Sequence, residues 1–282
     1  MFVWRVESAP PPLDLTERHN LLPPSANKIP STFFNQLRSA AESALLLDYD
    51  GTLAPFQTDR DRAYPYPEVM PLLERILISG RSKVAIVSGR TIADLRPFLD
   101  QLPAVEIWGS HGIEHLSADG VYSQTEIPVE TTNALANAVS RLTASGLAHR
   151  TEIKPGGIAV HWRGLSTDAT KAVYTATHEC LRPLIHHPGL KLLSFEGGVE
   201  LRVIHPNKGD AVSAILNRCD PLATVAYLGD DHTDEAAFRV LNPYGLTILV
   251  RHEYRATNAQ FWLHPPHQLI HFLQTWADCV GA

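Results

Sequence analysis

Short apolar runs alternate along this chain with stretches whose apolar positions recur every three or four residues. Residues 44–47, 83–87, 105–108, 223–228 and 247–250 are runs of four to six positions dominated by apolar side chains. Runs of that length, bounded by turn residues, predict strands buried on both faces. Between the first two runs, Val69, Leu72, Leu73, Ile76 and Leu77 share one face of a helix over 68–79, which Gly80 stops. Thr91, with Asp94 three residues on, reads as the N-cap of another. Helices are also predicted over 209–218 and 267–279, the latter packing Leu269, Ile270, Leu273 and Trp276 inward, and 247–250 is expected as the last strand. Strand and helix in alternation with short connections predict a parallel sheet with right-handed crossovers: a doubly wound, Rossmann-like α/β core.

The rhythm changes between 113 and 204. Helices near 131–145 and 167–184 are interleaved with alternating strands such as 158–162 and 199–203, which predicts an inserted α+β module. The expected division is therefore a proline-rich arm over 1–31, a core over 32–112 and 205–282, and the insertion over 113–204. Prolines at 10, 11, 12, 23, 24 and 30 set the arm apart from the core.

Composition narrows the class. With 282 residues, 44% hydrophobic and 19% charged, the chain can bury one large core or two moderate ones. A net charge of −6 and no basic run argue against nucleic acid as a partner. No apolar stretch approaches the roughly 18 residues of a membrane span, and the first thirty residues lack a signal-peptide pattern. Cys180, Cys219 and Cys279 share no metal-like spacing and fit reduced thiols, so a cytoplasmic protein is expected.

The candidate chemistry lies at the ends of the apolar runs, where α/β sheets bind ligands. Asp48 and Asp50 close the first, in Leu45-Leu46-Leu47-Asp48-Tyr49-Asp50-Gly51-Thr52-Leu53. An Asp-Gly turn accounts for Asp50 and Gly51 but not for Asp48 in an apolar run. Two close carboxylates favour protonation of one unless a cation is present, and a hard divalent ion such as Mg²⁺ is the simplest such cation. One aspartate could then also attack a phosphoryl group. Ser88-Gly89-Arg90 closes the second run before a helix N-terminus, either a phosphate site or a plain turn. Lys208, in Asn207-Lys208-Gly209, opens a helix and is either a neutralising point charge or a solvated surface lysine. Gly229-Asp230-Asp231-His232-Thr233-Asp234-Glu235 is an acidic helix start or a second carboxylate-bearing strand end. His264, His267 and His271 have helical spacing but no acidic partner, and are taken as surface or packing residues.

In this order, Asp48 to Leu53, Ser88, Lys208 and Gly229-Asp230-Asp231 resemble the four motifs of the haloacid dehalogenase-like phosphatases, with the insertion at the position of the C2-type cap. Ser88-Gly89-Arg90, Gly109-Ser110-His111-Gly112, Asn207-Lys208-Gly209 and the run from Gly229 to Glu235 resemble the trehalose-6-phosphate phosphatases. That resemblance implies Asp48 as nucleophile and Mg²⁺ ligand. It implies Asp50 as general acid and base, with its main-chain carbonyl on the metal. Ser88, Gly89 and Lys208 would hold the phosphoryl group, and Asp230 the metal, supported by Asp231 and Asp234. A sugar phosphate would be the small-molecule substrate, with Arg90 and His111 as candidate contacts; Glu152, Lys154, His161, Arg163 and Glu200 of the insertion are either further contacts or exposed charges on an α+β surface. One departure stands out: Ser194-Phe195-Glu196-Gly197-Gly198-Val199-Glu200 lacks the lysines that the family places before the matching glutamate. A glucosylglycerate or sucrose phosphate therefore stays open beside trehalose 6-phosphate. So do a phosphomutase and a non-catalytic binding module.

Overall fold

The protein is described by a computed structural model that covers residues 29–57, 59–195 and 197–282. The expected arm over 1–31 lies outside the described residues as far as residue 28, and Ser31 already opens a helix. In chain order the elements are α1 (Ser31–Ser39), β1 (Ser43–Leu47), α2 (Val69–Ile78), β2 (Ser82–Val87), α3 (Ile92–Leu99), β3 (Glu106–Gly109), β4 (Glu114–Leu116) and β5 (Tyr122–Gln124). There follow α4 (Val129–Ala144), β6 (Thr151–Lys154), β7 (Gly157–His161), α5 (Thr167–Leu181), β8 (Leu190–Phe195) and β9 (Gly198–Val203). The chain closes with α6 (Lys208–Leu216), β10 (Thr224–Gly229), α7 (Glu235–Leu241), β11 (Leu246–Val250), β12 (Phe261–Leu263) and α8 (His267–Val280).

Two sheets result. The larger has the order β12-β11-β10-β1-β2-β3-β4-β5, parallel from β12 through β3 and antiparallel at β4 and β5. Its central strands are apolar throughout because helices cover both faces. Leu45 and Leu47 point into a core with α1, α2, α3 and α8, whereas Ala44 and Leu46 point into one with α6 and α7. From β1 the chain runs outward through β2 and β3, and later returns through β10 to β12 on the other side. The carboxyl end of β1 is thus a switch point, where open α/β sheets form their binding crevice.

The smaller sheet, β6-β7-β9-β8, is antiparallel. Val199, Leu201 and Val203 of β9 pack with Ile158 and Val160 against α4 and α5. Strand alternation puts Glu200 and Arg202 on the opposite face.

Three expectations are corrected. The large sheet continues past residue 112 through β4 and β5, because the Ser110–Gly112 turn folds the chain back along β3, so the insertion leaves it only after Gln124. Residues 247–250 are not the last strand, since β12 follows and pairs with β11 in parallel. Its three residues are too short a run to stand out by pattern. The helix expected over 167–184 ends at Leu181 and tightens to a 3₁₀ turn at Arg182–Leu184, where Pro183 has no N–H with which to continue the α-helical ladder.

Candidate active site

Three adjacent strand ends and one helix start converge at the switch point. Asp48 follows β1, Ser88 follows β2, Asp230 follows β10, and Lys208 opens α6 from the other side of the chain. All four are buried, at 4%, 1%, 2% and 2% exposure, so the solvated-lysine reading of Lys208 fails. Lys208 Nζ donates to Asp48 Oδ1 at 2.6 Å and to Asp234 Oδ1 at 2.8 Å. Burial acts to lower its proton affinity, but Asp234 and Asp48 together outweigh it, so the ammonium stays charged. Gly51 permits the approach of Asp48 and Asp230. Its φ is +79°, and a Cβ there would lie 2.2 Å from Asp230 Oδ2.

One lysine does not balance the acids it meets. Burial pushes Asp48 up to about 7, against the pull of Lys208 and with the push of Asp234. Burial also raises Asp230, with Asp48 and Asp234 adding to the shift. Asp230 Oδ2 is buried without a hydrogen-bond partner among the described residues, and only Arg251, at 3.9 Å, approaches it. Carboxylate oxygens of Asp48, Asp230 and Asp234 lie within 4.8 Å of one another. An oxygen-lined, electron-rich and under-neutralised site of this kind fits a divalent cation. Asp234 is the weaker ligand candidate because its oxygens are already taken. Oδ1 accepts from Lys208 and from the Tyr227 hydroxyl at 2.6 Å, and Oδ2 from the Asp230 and Asp231 amides at 3.1 and 3.0 Å. Asp231 and Asp234 instead cap the turn at His232–Asp234 reciprocally, which fixes the strand end.

The Ser88 hydroxyl accepts from the Arg90 amide at 3.2 Å. Gly89 is needed for a neighbour: a Cβ there would lie 2.5 Å from the His111 ring. His111 sits at φ 60° beside Ser110 at φ 48°, two consecutive left-handed residues. That turn is held by Ser110 N donating to Arg90 O at 2.7 Å and His111 N donating to Ser88 O at 2.8 Å.

Arg90, expected to meet substrate, lines the cavity but gives its guanidinium fork to Asp50. It is 2% exposed and forks onto Asp50, Nε to Oδ2 at 2.7 Å and Nη2 to Oδ1 at 2.6 Å.

The smaller sheet closes the site. Glu152, Lys154, His161, Arg163 and Glu200 line one cavity with Asp48, Asp50, Ser88, Gly89, Arg90, His111, Lys208, Asp230 and Asp231. Lys154 Nζ lies 2.6 Å from Glu200 Oε1 and 3.4 Å from Gly89 O, so this wall does carry a lysine, from β6 rather than from the run before Glu200. The Nε2 of His111 lies 3.3 Å from Glu200 Oε2. Burial, reinforced by Arg202 and opposed by Glu200, pushes His111 down to about 3, so it is neutral in the folded protein. The cavity encloses about 170 Å³. A larger cavity, about 930 Å³, lies at the amino ends of β10 to β12 beside α1 and carries none of these groups.

Neutral His111 has a consequence for stability. An unfolded histidine titrates near 6.5, so between there and about 3 the unfolded chain binds a proton that the folded one refuses. Its contribution is complete above pH 6.5 and is lost as pH falls, at up to about 1.4 kcal/mol per pH unit. Urea unfolding between pH 7.5 and 5 should therefore show a shallower acid-side slope in His111→Gln; equal slopes would contradict a neutral histidine.

Several lining residues gave no signal in the sequence. Phe56, Gln57 and Arg60 come from the connection between β1 and α2, which has neither periodicity nor motif. Behind the lining, Arg251 and Arg255, whose guanidinium groups donate to Asp230 O at 3.4 and 3.2 Å, lie in the connection after β11. Their position just past a buried strand was the available clue.

The fold is one seen in haloacid dehalogenase-like proteins. BT1666 from Bacteroides thetaiotaomicron, a phosphatase of that superfamily, superposes with a TM-score of 0.57 at 16% identity over 89% of this chain and 99% of its own. The Candida albicans trehalose-6-phosphate phosphatase C-terminal domain superposes with a TM-score of 0.74 at 20% identity, over 88% of this chain and 96% of its own. The trehalose-phosphatase family model matches residues 46–266, and the chain belongs to that family. The trehalose-phosphate phosphatase of Mycobacterium tuberculosis (strain ATCC 25618 / H37Rv) is 32% identical over 247 residues, covering 83% of this chain. That of Mycobacterium marinum is 32% identical over 241 residues, or 81% of this chain. The chain spans 61% and 60% of the length of these two relatives. No helix among the described residues is long and apolar enough to cross a membrane.

Proposed function

We propose that this protein is a Mg²⁺-dependent phosphomonoesterase that hydrolyses trehalose 6-phosphate. The observation that carries the reading is the shared cavity, which joins the Asp48, Lys208 and Asp230 cluster to the polar wall of Glu152, Lys154, His161, Arg163 and Glu200. We take the core as 32–124 and 205–282 and the cap as 125–204, moved from the expected boundary by β4 and β5.

Asp48 Oδ attacks phosphorus in line, forming a P–O bond as the bond to the sugar oxygen breaks. Asp50 gives that oxygen a proton. Asp50 then takes a proton from water, whose oxygen attacks the aspartyl phosphate and releases Asp48 and inorganic phosphate. Ser88 and Lys208 hold the phosphoryl oxygens throughout, because transfer depends mainly on alignment and charge neutralisation. Asp48, Asp230 and the main-chain carbonyl of Asp50 are the assigned ligands of Mg²⁺, which when bound would supply positive charge to the phosphoryl oxygens. On the cap, Lys154 and Glu200 present a donor and an acceptor for sugar hydroxyls, and Lys154 takes the place of the lysines absent before Glu200.

The cavity is smaller than the roughly 300 Å³ at which small-molecule sites begin, so a disaccharide phosphate is admitted only with the cap displaced. The test is phosphate release from a panel of sugar phosphates, as kcat/KM. Trehalose 6-phosphate should rank first, and release should stop with chelator and return with Mg²⁺. A glucosylglycerate or sucrose phosphate ranking first would overturn the substrate and leave the reaction standing. Phosphate moving between sugar positions without release would indicate a mutase, and no turnover of any phosphomonoester would remove the reading altogether.

A further inference from the structure

Asp50 is half-buried, at 30% exposure, yet both its oxygens are held by the Arg90 fork. The guanidinium is itself fixed on three sides. It lies 5.2 Å from the ring centroid of Tyr49 and 5.5 Å from that of Phe98, and its Nη1 donates to the Arg60 carbonyl at 2.9 Å. The Arg60 side chain then reaches across the cleft, where Nη1 donates to Glu152 Oε1 of β6 at 2.5 Å. The other Glu152 oxygen lies 2.8 Å from His161 Nε2. Contacts therefore run without a break from the cap sheet, through Glu152, Arg60 and Arg90, to Asp50. A second tie leads from the cap to the same connection, where Arg163 Nη1 donates to Gln57 O at 2.9 Å.

We propose that Arg90 is the positioning residue of Asp50 and that Arg60 couples that pair to the cap, so that Asp50 is held in its working orientation when the cap is seated. The proposal rests on the phosphatase reading above and deepens it. A carboxylate can turn about two side-chain bonds, whereas proton transfer requires hydrogen-bond reach of about 2.6–3.2 Å. A guanidinium fork fixes the carboxylate plane, which a lysine ammonium cannot do. It also leaves outer lone-pair positions on the same oxygens, one to carry the proton that goes to the leaving oxygen and, once that is given up, to accept one from water. The charges along the path pair off, Arg90 with Asp50 and Arg60 with Glu152. Lifting the cap removes Glu152 from Arg60, and with it the anchor of the carbonyl that holds the third side of Arg90.

The experiment compares Arg90→Lys, Arg60→Ala and the double variant, with p-nitrophenyl phosphate and a turned-over sugar phosphate as substrates. On the sugar phosphate, Arg90→Lys should lower kcat by about 100-fold, the usual cost of a small misplacement, with KM changed less than about threefold. Arg60→Ala should lower kcat by about tenfold alone and by less than twofold in the Arg90→Lys background, since both act through one bridge. A merely structural role would lower thermal stability without that split and without non-additivity. Additive effects on kcat, or an Arg60→Ala effect confined to KM, overturn the proposal. Amide hydrogen exchange supplies a readout independent of turnover and of whether Arg90→Lys folds. Arg60→Ala and Glu152→Gln should each speed exchange over residues 59–63, and unchanged exchange there in Glu152→Gln overturns the coupling. Should the wild type release phosphate from nothing, the functional reading falls, and the exchange result still decides the bridge.

Discussion

Asp48→Asn is expected to reduce Mg²⁺-dependent phosphate release by about 10⁴-fold or more, the scale on which loss of a covalent nucleophile is felt. The substitution keeps the shape of the side chain and removes its charge, so the protein should stay folded. Its stability without metal should hold or rise, because burial pushes Asp48 up and Asp234 and Asp50 repel it, opposing the favourable contact with Lys208. Lys208 keeps Asp234 as a partner at 2.8 Å. Calorimetric titration should show weaker Mg²⁺ binding at the same time, since one of the two assigned carboxylates is neutral. Turnover near the wild-type value would remove Asp48 from the chemistry, whatever the substrate.

Lys208→Met should act on stability as strongly as on rate. Lys208 is, among the described residues, the one cation in hydrogen-bond contact with Asp48 and Asp234, and it is 2% exposed. Removing one member of a buried ionic cluster costs about 3–5 kcal/mol, because the remaining charges are left without compensation. For a chain of this size that corresponds to a fall in Tm of roughly 10 °C. Phosphate release should be lost in the same variant. Part of the lost Tm should return with millimolar Mg²⁺, which supplies charge to the same carboxylates, and it should return more than in the wild type. A Tm unchanged without metal would mean that Asp48 and Asp234 are protonated rather than paired.

The contrast between the two variants shows how much was legible in the sequence. Asp48, Ser88, Lys208 and Asp230 were readable because each follows or precedes a run whose apolar character admits one interpretation, a strand or helix buried in an α/β core. Position in such a fold carries chemistry with it. Arg90 was readable as a site residue but not in its role, because its partner, Asp50, lies forty positions away in sequence. The site role of Arg60 was not readable: its contacts with Glu152 and with Arg90 depend on the path of a connection that has no period. Strands β4, β5 and β12, of three residues each, were missed because a run so short carries no alternation to count. The cap face was predicted residue by residue, yet the placement of Lys154 against Glu200 required the register of β6, β7 and β9.

The order of strands in the large sheet has a consequence for how the protein is made. Strand β1 lies between β2, which follows it closely, and β10, which begins at Thr224. During synthesis the first half of the sheet therefore waits with Ser43–Leu47 as an open apolar edge until the whole cap and α6 have emerged. The contact between Lys208 and Asp48 spans 160 positions, so the reactive centre closes among the last long-range contacts of the nascent chain. A ribosome-bound chain halted before β10 should carry a formed cap, an unsatisfied sheet edge that attracts chaperones, and no hydrolytic activity at all.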